Sequence, residues 1–139
     1  MFVAFCYRVP LTQFDSFARA MSQIFKKYGV NVINVSVRHA LPDTGSLLAW
    51  AKEEVFAFVV YYRQGTSVQD ERAVAVWSRE LVDAVIAHNG AYYLPYQRHA
   101  TTEQFHLAYS RASEFFQLKH RVDPNNRFTN KLWEQHYDN

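Results

Sequence analysis

"EEVFAFVVYYRQ" (residues 53–64) is the most strand-like segment of this chain. β-Branched and aromatic residues fill it, and Gly65 punctuates its end. A strand of this kind needs neighbours, and period-two alternation supplies them. "VNVINVSVRHA" (30–40) sets Ile33, Val35 and Val37 on one side and Asn34, Ser36 and Arg38 on the other. "FVAFCYRV" (2–9) alternates up to Pro10, and "AYYLPY" (91–96) forms a fourth strand that Pro95 ends.

The segments between these strands have helical spacing. Thr12 with Asp15 resembles a capping box, after which Phe14, Phe17, Ala18, Met21, Ile24, Phe25 and Tyr28 share one face and Gly29 closes the helix. A second helix spans about 67–88, with Ala73, Trp77, Leu81, Ala84 and Val85 inward. The order β-α-β-β-α-β predicts an α+β, ferredoxin-like fold, an antiparallel sheet with two helices on one face. A third helix starts at a Thr101/Gln104 capping box and runs to about His120, lined by Phe105, Ala108, Tyr109, Ala112, Phe115 and Phe116. One compact unit results, residues 1–98 forming the sheet domain and 99–139 a helix and tail.

Composition bounds the function. The 139 residues are 49 % hydrophobic and 20 % charged, which suits one globular domain. A net charge of +2 does not by itself point to nucleic acid or an anionic membrane. The single cysteine, Cys6, excludes an internal disulfide and a cysteine-built zinc site, and leans the assignment to the cytoplasm. The six histidines show no metal-ligand spacing, and no apolar run reaches the ~18 residues of a membrane span. The aromatic content of 17 % is high, enough to clothe a surface besides the core.

With both helices on one side, alternation predicts the other face of the sheet. It assigns Val3, Phe5, Tyr7, Val55, Ala57 and Val59 to the helices. To the open side it assigns Ala4, Cys6 and Arg8; Asn34, Ser36 and Arg38; and Phe56, Phe58, Val60 and Tyr62, with Tyr93 beside them. Arginines, small polar groups and rings together suit a flat, hydrogen-bonding ligand. Arg8 and Arg38 suit an acid or a polyhydroxylated compound. Tyr62, Tyr93 and Tyr96 supply hydroxyls, and His99 lies in a loop where a base is often placed.

Two resemblances follow. Phe56-Ala57-Phe58-Val59 and Tyr61 resemble the core of an RNA-recognition motif, which implies stacking of single-stranded RNA. Glu54 and Val55 depart from that motif's basic residue and glycine, and the last forty residues stay unexplained by it. A stand-alone ferredoxin-like domain, a homodimer through its open face, is a third reading. "GAYYLPYQRHATTEQFHLAYSRASEFFQLKHRVDPNNRFTN" (90–130) resembles the C-terminal end of FAD-linked oxidases of the vanillyl-alcohol oxidase superfamily. The matching positions are Gly90, Tyr92, Tyr93, Tyr96, Phe116, Leu118, Lys119, Asp123, Pro124, Phe128 and Asn130. This resemblance implies a cap lying over an isoalloxazine ring that a separate N-terminal FAD-binding domain holds, with a small hydroxylated substrate between them. It implies Tyr93, Arg38 and His99 as catalytic residues and Arg8, Asn34, Ser36, Phe58, Tyr62 and Tyr96 as substrate contacts. Arg98 and Asn130 fall to the cofactor. Only four glycines, at 29, 45, 65 and 90, are present, so no phosphate-cradling loop is expected and the isolated chain should be inactive.

Overall fold

The computed structural model describes residues 1–96 and 98–137. Four strands, β1 (Phe2–Pro10), β2 (Asn31–Ala40), β3 (Val55–Arg63) and β4 (Ala91–Tyr92), form one antiparallel sheet in the order β2-β3-β1-β4. The helices are α1 (Phe14–Tyr28), α2 (Val68–Ala87), α3 (Thr102–Ala108), α4 (Ala112–Val122) and α5 (Lys131–His136). The protein is thus α+β, as expected.

α1 and α2 lie side by side on one face. Their contact pairs Phe25 with Trp77 edge to face, and Glu80 receives Lys27 and the Tyr28 hydroxyl. The expected inward residues Phe17, Met21, Ile24, Phe25, Trp77, Leu81 and Val85 are all buried. Ala73 is exposed and Val74 takes its place. α1 ends as predicted, on Gly29 at φ +59°. Its start differs. A single 3-10 turn (Leu11–Gln13) precedes it, Gln13 is the cap residue, and the Thr12/Asp15 box does not form. The Ser67/Asp70 and Thr101/Gln104 boxes do form, at the starts of α2 and α3.

β3 runs with the opposite parity to that expected. Antiparallel partners share a face, and Val60 sits opposite Phe5 and Val35, while Phe58 sits opposite Tyr7 and Val37. Phe56, Phe58, Val60 and Tyr62 therefore point toward the helices, where Phe58 stacks on Phe14 and meets Phe17 edge to face. Ala57, Val59 and Tyr61 face the other way. Both faces of β3 are apolar, so alternation carried no sign. Volume decides instead, because the gap beneath two helices accepts rings that the other face has no room to cover. A bulge at Ile33 keeps β2 in step, with Asn34, Ser36 and Arg38 on the helix-free face as expected.

The fourth strand is two residues long instead of six. Gly90 lets it approach β1: a Cβ there would lie 2.1 Å from the Arg8 carbonyl oxygen. The long third helix is broken into α3 and α4 at Tyr109–Arg111, because the Tyr109 hydroxyl is tied to Arg8 and to the Tyr92 carbonyl. Phe105, Ala108, Tyr109 and Ala112 then close a second small core against β4.

The tail is organised by Asp123. Its carboxylate accepts from the amides of Arg127 (2.9 Å) and Phe128 (3.0 Å) and pairs with Lys119 (2.5 Å). Those contacts, the Lys119 ammonium first, hold its carboxyl down at about 2. A depressed carboxylate stabilises fully above its unfolded value of 3.8, and that contribution is lost as the pH falls toward about 2. Exchange of the Arg127 and Phe128 amides, followed by NMR, is expected to accelerate across that window. Asp123→Asn should make it fast and nearly pH-independent in opening; protected amides in that variant would refute the assignment.

Candidate functional site

On the helix-free face the sheet has a narrow floor of small side chains, Cys6, Ala57 and Val59. Over it folds the connection between β2 and β3 (residues 41–54), which brings in Trp50. Tyr93 and Tyr96, packed edge to face at 5.1 Å, make the opposite wall, and Arg38 completes a cavity of about 330 Å³. That volume falls in the range of small-ligand sites. The peptide N–H of Tyr93 donates to the Cys6 carbonyl at 2.9 Å, so the residue following β4 is held in sheet-like register against the floor.

Electrostatics distinguish the cavity from a plain apolar cleft. Arg38 is exposed near the C-terminal end of β2 and supplies a cation. Burial pushes the Cys6 thiol up to about 11 despite Arg8 and Arg38, so it remains a neutral thiol and not a nucleophile. Burial also raises the Tyr96 hydroxyl, which stays protonated as a donor. Trp50 Nε1 is buried with no acceptor among the described residues, a cost of about 1–3 kcal/mol that a carbonyl from a second component would remove.

Arg8, expected on the surface as a substrate ligand, is 2 % exposed. Its guanidinium donates to the carbonyls of Tyr92 (3.1 Å) and Ala49 (3.0 Å) and to the Tyr109 hydroxyl (3.1 Å), between the rings of Trp50 and Tyr109. Burial lowers its pKa, and Tyr109 opposes that shift. Arg8 is the pin that holds loop 41–54, β4 and the α3–α4 junction to the sheet. It supports the cavity from behind.

Of the residues expected at the site, the fold brings together Arg38, Tyr93 and Tyr96. Asn34 and Ser36 share the face and bond to each other at 3.3 Å, outside the cavity lining. Phe58 and Tyr62 lie in the helix-side core, so neither can touch a ligand on the open face. Phe56 and Phe58 are likewise unable to stack on RNA bases. His99 sits round the edge of β1, edge-on to Phe5, with its carbonyl accepting from Arg79 Nε at 2.7 Å and burial lowering its pKa. Arg98 binds the Lys131 carbonyl (2.9 Å) and Gln135, clamping α5, and Asn130 caps that helix through the Trp133 amide (2.9 Å). Both expected cofactor contacts thus have structural work to do. Trp50, Ala57 and Val59 were missed. The apolar run Leu47-Leu48-Ala49-Trp50-Ala51 within a long connection was the available signal, since a solvated loop has no use for it.

No family model matches the sequence, and no curated protein does either.

Proposed function

We propose that this chain is the substrate-binding cap of an FAD-dependent oxidoreductase, closing over a flavin ring held by another stretch of polypeptide. The observation that carries the proposal is the flat floor of Cys6, Ala57 and Val59 between the walls of Trp50 and the Tyr93–Tyr96 pair, with one cation at its edge. The residues suit the ring end of such a cofactor: small floor, aromatic flanks and an orphaned Trp50 donor. They do not suit its pyrophosphate, because Gly29 caps α1 and Gly90 is wedged against β1.

The strand order β2-β3-β1-β4 with both crossover helices on one side supports the ferredoxin-like reading. The tail supports the cap reading. Asp123 builds a fixed turn, yet the turn displays Phe128 at 79 % exposure, and Val122 before it is 68 % exposed. Apolar groups held out so firmly suit a surface that another domain covers.

A flavin held over this face would supply a hydride acceptor for a CH–OH donor. Arg38 would hold the donor's carboxylate or hydroxyls and stabilise negative charge that develops on its oxygen. Tyr93 and Tyr96 would orient that oxygen, and Trp50 with loop 41–54 would exclude water from one side. Cys6 stays a bystander in the floor.

Reconstitution tests this reading. The chain alone, incubated with FAD and desalted, is expected to be colourless and without turnover. Combined with a flavin-binding polypeptide encoded beside it, it should oxidise a hydroxy donor, and Arg38→Met should lower kcat/KM by at least about tenfold, roughly 1.4 kcal/mol, with an unchanged far-UV spectrum. A yellow isolated chain, or a variant with full turnover, overturns it.

A further inference from the structure

A larger cavity, about 500 Å³, is lined by α3, α4 and Tyr137, with no strand residue among the described residues around it. Its floor is the Phe116 ring, which meets His106 edge to face at 5.9 Å and Tyr137 at 5.5 Å. His120 and Arg121 from α4 and His106 from α3 converge on it. Ser113 and Gln117 lie one turn apart on the same face of α4 and add a hydroxyl and an amide. No Asp or Glu is among the described residues that line it.

Among the described residues no carboxylate balances the basic side chains there. The acids of α4 and its end are engaged elsewhere, Glu114 with Arg111 at 2.9 Å and Asp123 with Lys119. Among the described residues His106, His120 and Arg121 share no ion pair with any carboxylate. Cations suit the last turns of α3 and α4 through the helix dipole. That accounts for a basic residue at each helix end but not for their meeting over one ring-walled groove. A guanidinium offers a planar fork to an oxyanion, imidazoles add N–H donors, and two aromatic rings offer faces to a flat body.

We propose that this groove binds a flat organic anion, an aromatic or conjugated ring bearing a single oxyanionic group. The site is independent of the sheet cavity and of the cap reading. Titration calorimetry and imidazole NMR on the whole chain test it with phenyl phosphate, benzoate, inorganic phosphate and benzyl alcohol as probes. Phenyl phosphate or benzoate, or both, should bind with Kd of about 0.1–1 mM, the pair showing which oxyanion is preferred. Binding should move the His106 and His120 resonances, and both inorganic phosphate and benzyl alcohol should bind at least about tenfold more weakly. Arg121 is exposed, so Arg121→Gln is expected to fold normally while weakening the aryl anion about tenfold or more, and Arg121→Lys should restore part of the loss. Equal affinity for benzyl alcohol, equal affinity for inorganic phosphate, or an indifferent Arg121→Gln overturns the proposal.

Discussion

Phe58→Asp is expected to leave the chain unfolded at neutral pH and 25 °C, whereas Tyr61→Asp, three residues along the same strand, should change stability by no more than about 1 kcal/mol. Phe58 is 2 % exposed and sits against Phe14, Phe17 and the Tyr7 strand position, so removing its ring opens a cavity costing about 3–5 kcal/mol. The carboxylate adds the burial of an unpaired charge, worth several kcal/mol more even if it protonates. The sum reaches the 5–15 kcal/mol range that usually holds a domain together. Tyr61 is 40 % exposed on the helix-free face and tolerates a solvated acid. Circular dichroism and amide NMR separate the outcomes. A folded, soluble Phe58→Asp protein would mean that β3 carries its rings outward, and the floor of Cys6, Ala57 and Val59 would be lost with that inversion.

Arg8→Met is expected to cost about 2–4 kcal/mol, which for a chain of this size lowers Tm by very roughly 10 °C. The substitution keeps an unbranched apolar stem but strands the Ala49 carbonyl and removes Arg8's bonds to all three elements. Tyr109 keeps its own bond to the Tyr92 carbonyl, so the α3–α4 junction should be disturbed less than the loop. Hydrogen exchange should therefore rise most in residues 41–54. Arg8→Lys should recover little, because a single ammonium cannot reach two carbonyls and a hydroxyl in one plane. Uniform destabilisation, with the loop no worse than the strands, would remove Arg8 from the role of pin. The same variant bears on function: a loosened loop moves Trp50, so the sheet cavity loses a wall even though Arg38, Tyr93 and Tyr96 are untouched.

The candidate site was legible in part. Arg38, Tyr93 and Tyr96, which line one cavity, stood out in the sequence because β2 alternates cleanly between polar and apolar residues and the two tyrosines lie on either side of Pro95. Arg8 was placed on the correct face but in the wrong role. A period-two pattern reports direction, not what comes to lie on top, and the cover is Trp50, Ala49 and Tyr109, from 41 to 101 residues away in the chain. Arg98 and Asn130 were drawn toward a cofactor, while the fold uses them for a long-range clamp on α5 and a local cap.

By itself the sequence determined the order of the four strands and first two helices and most of the inward faces of α1 and α2, because each depends on contacts within a few residues. Tertiary structure alone decided the parity of β3, the break at Tyr109 and the seating of Trp50 over the sheet. Each of these turns on which distant surface has room for a given volume or a partner for a given polar group, and neither quantity is written in neighbouring residues.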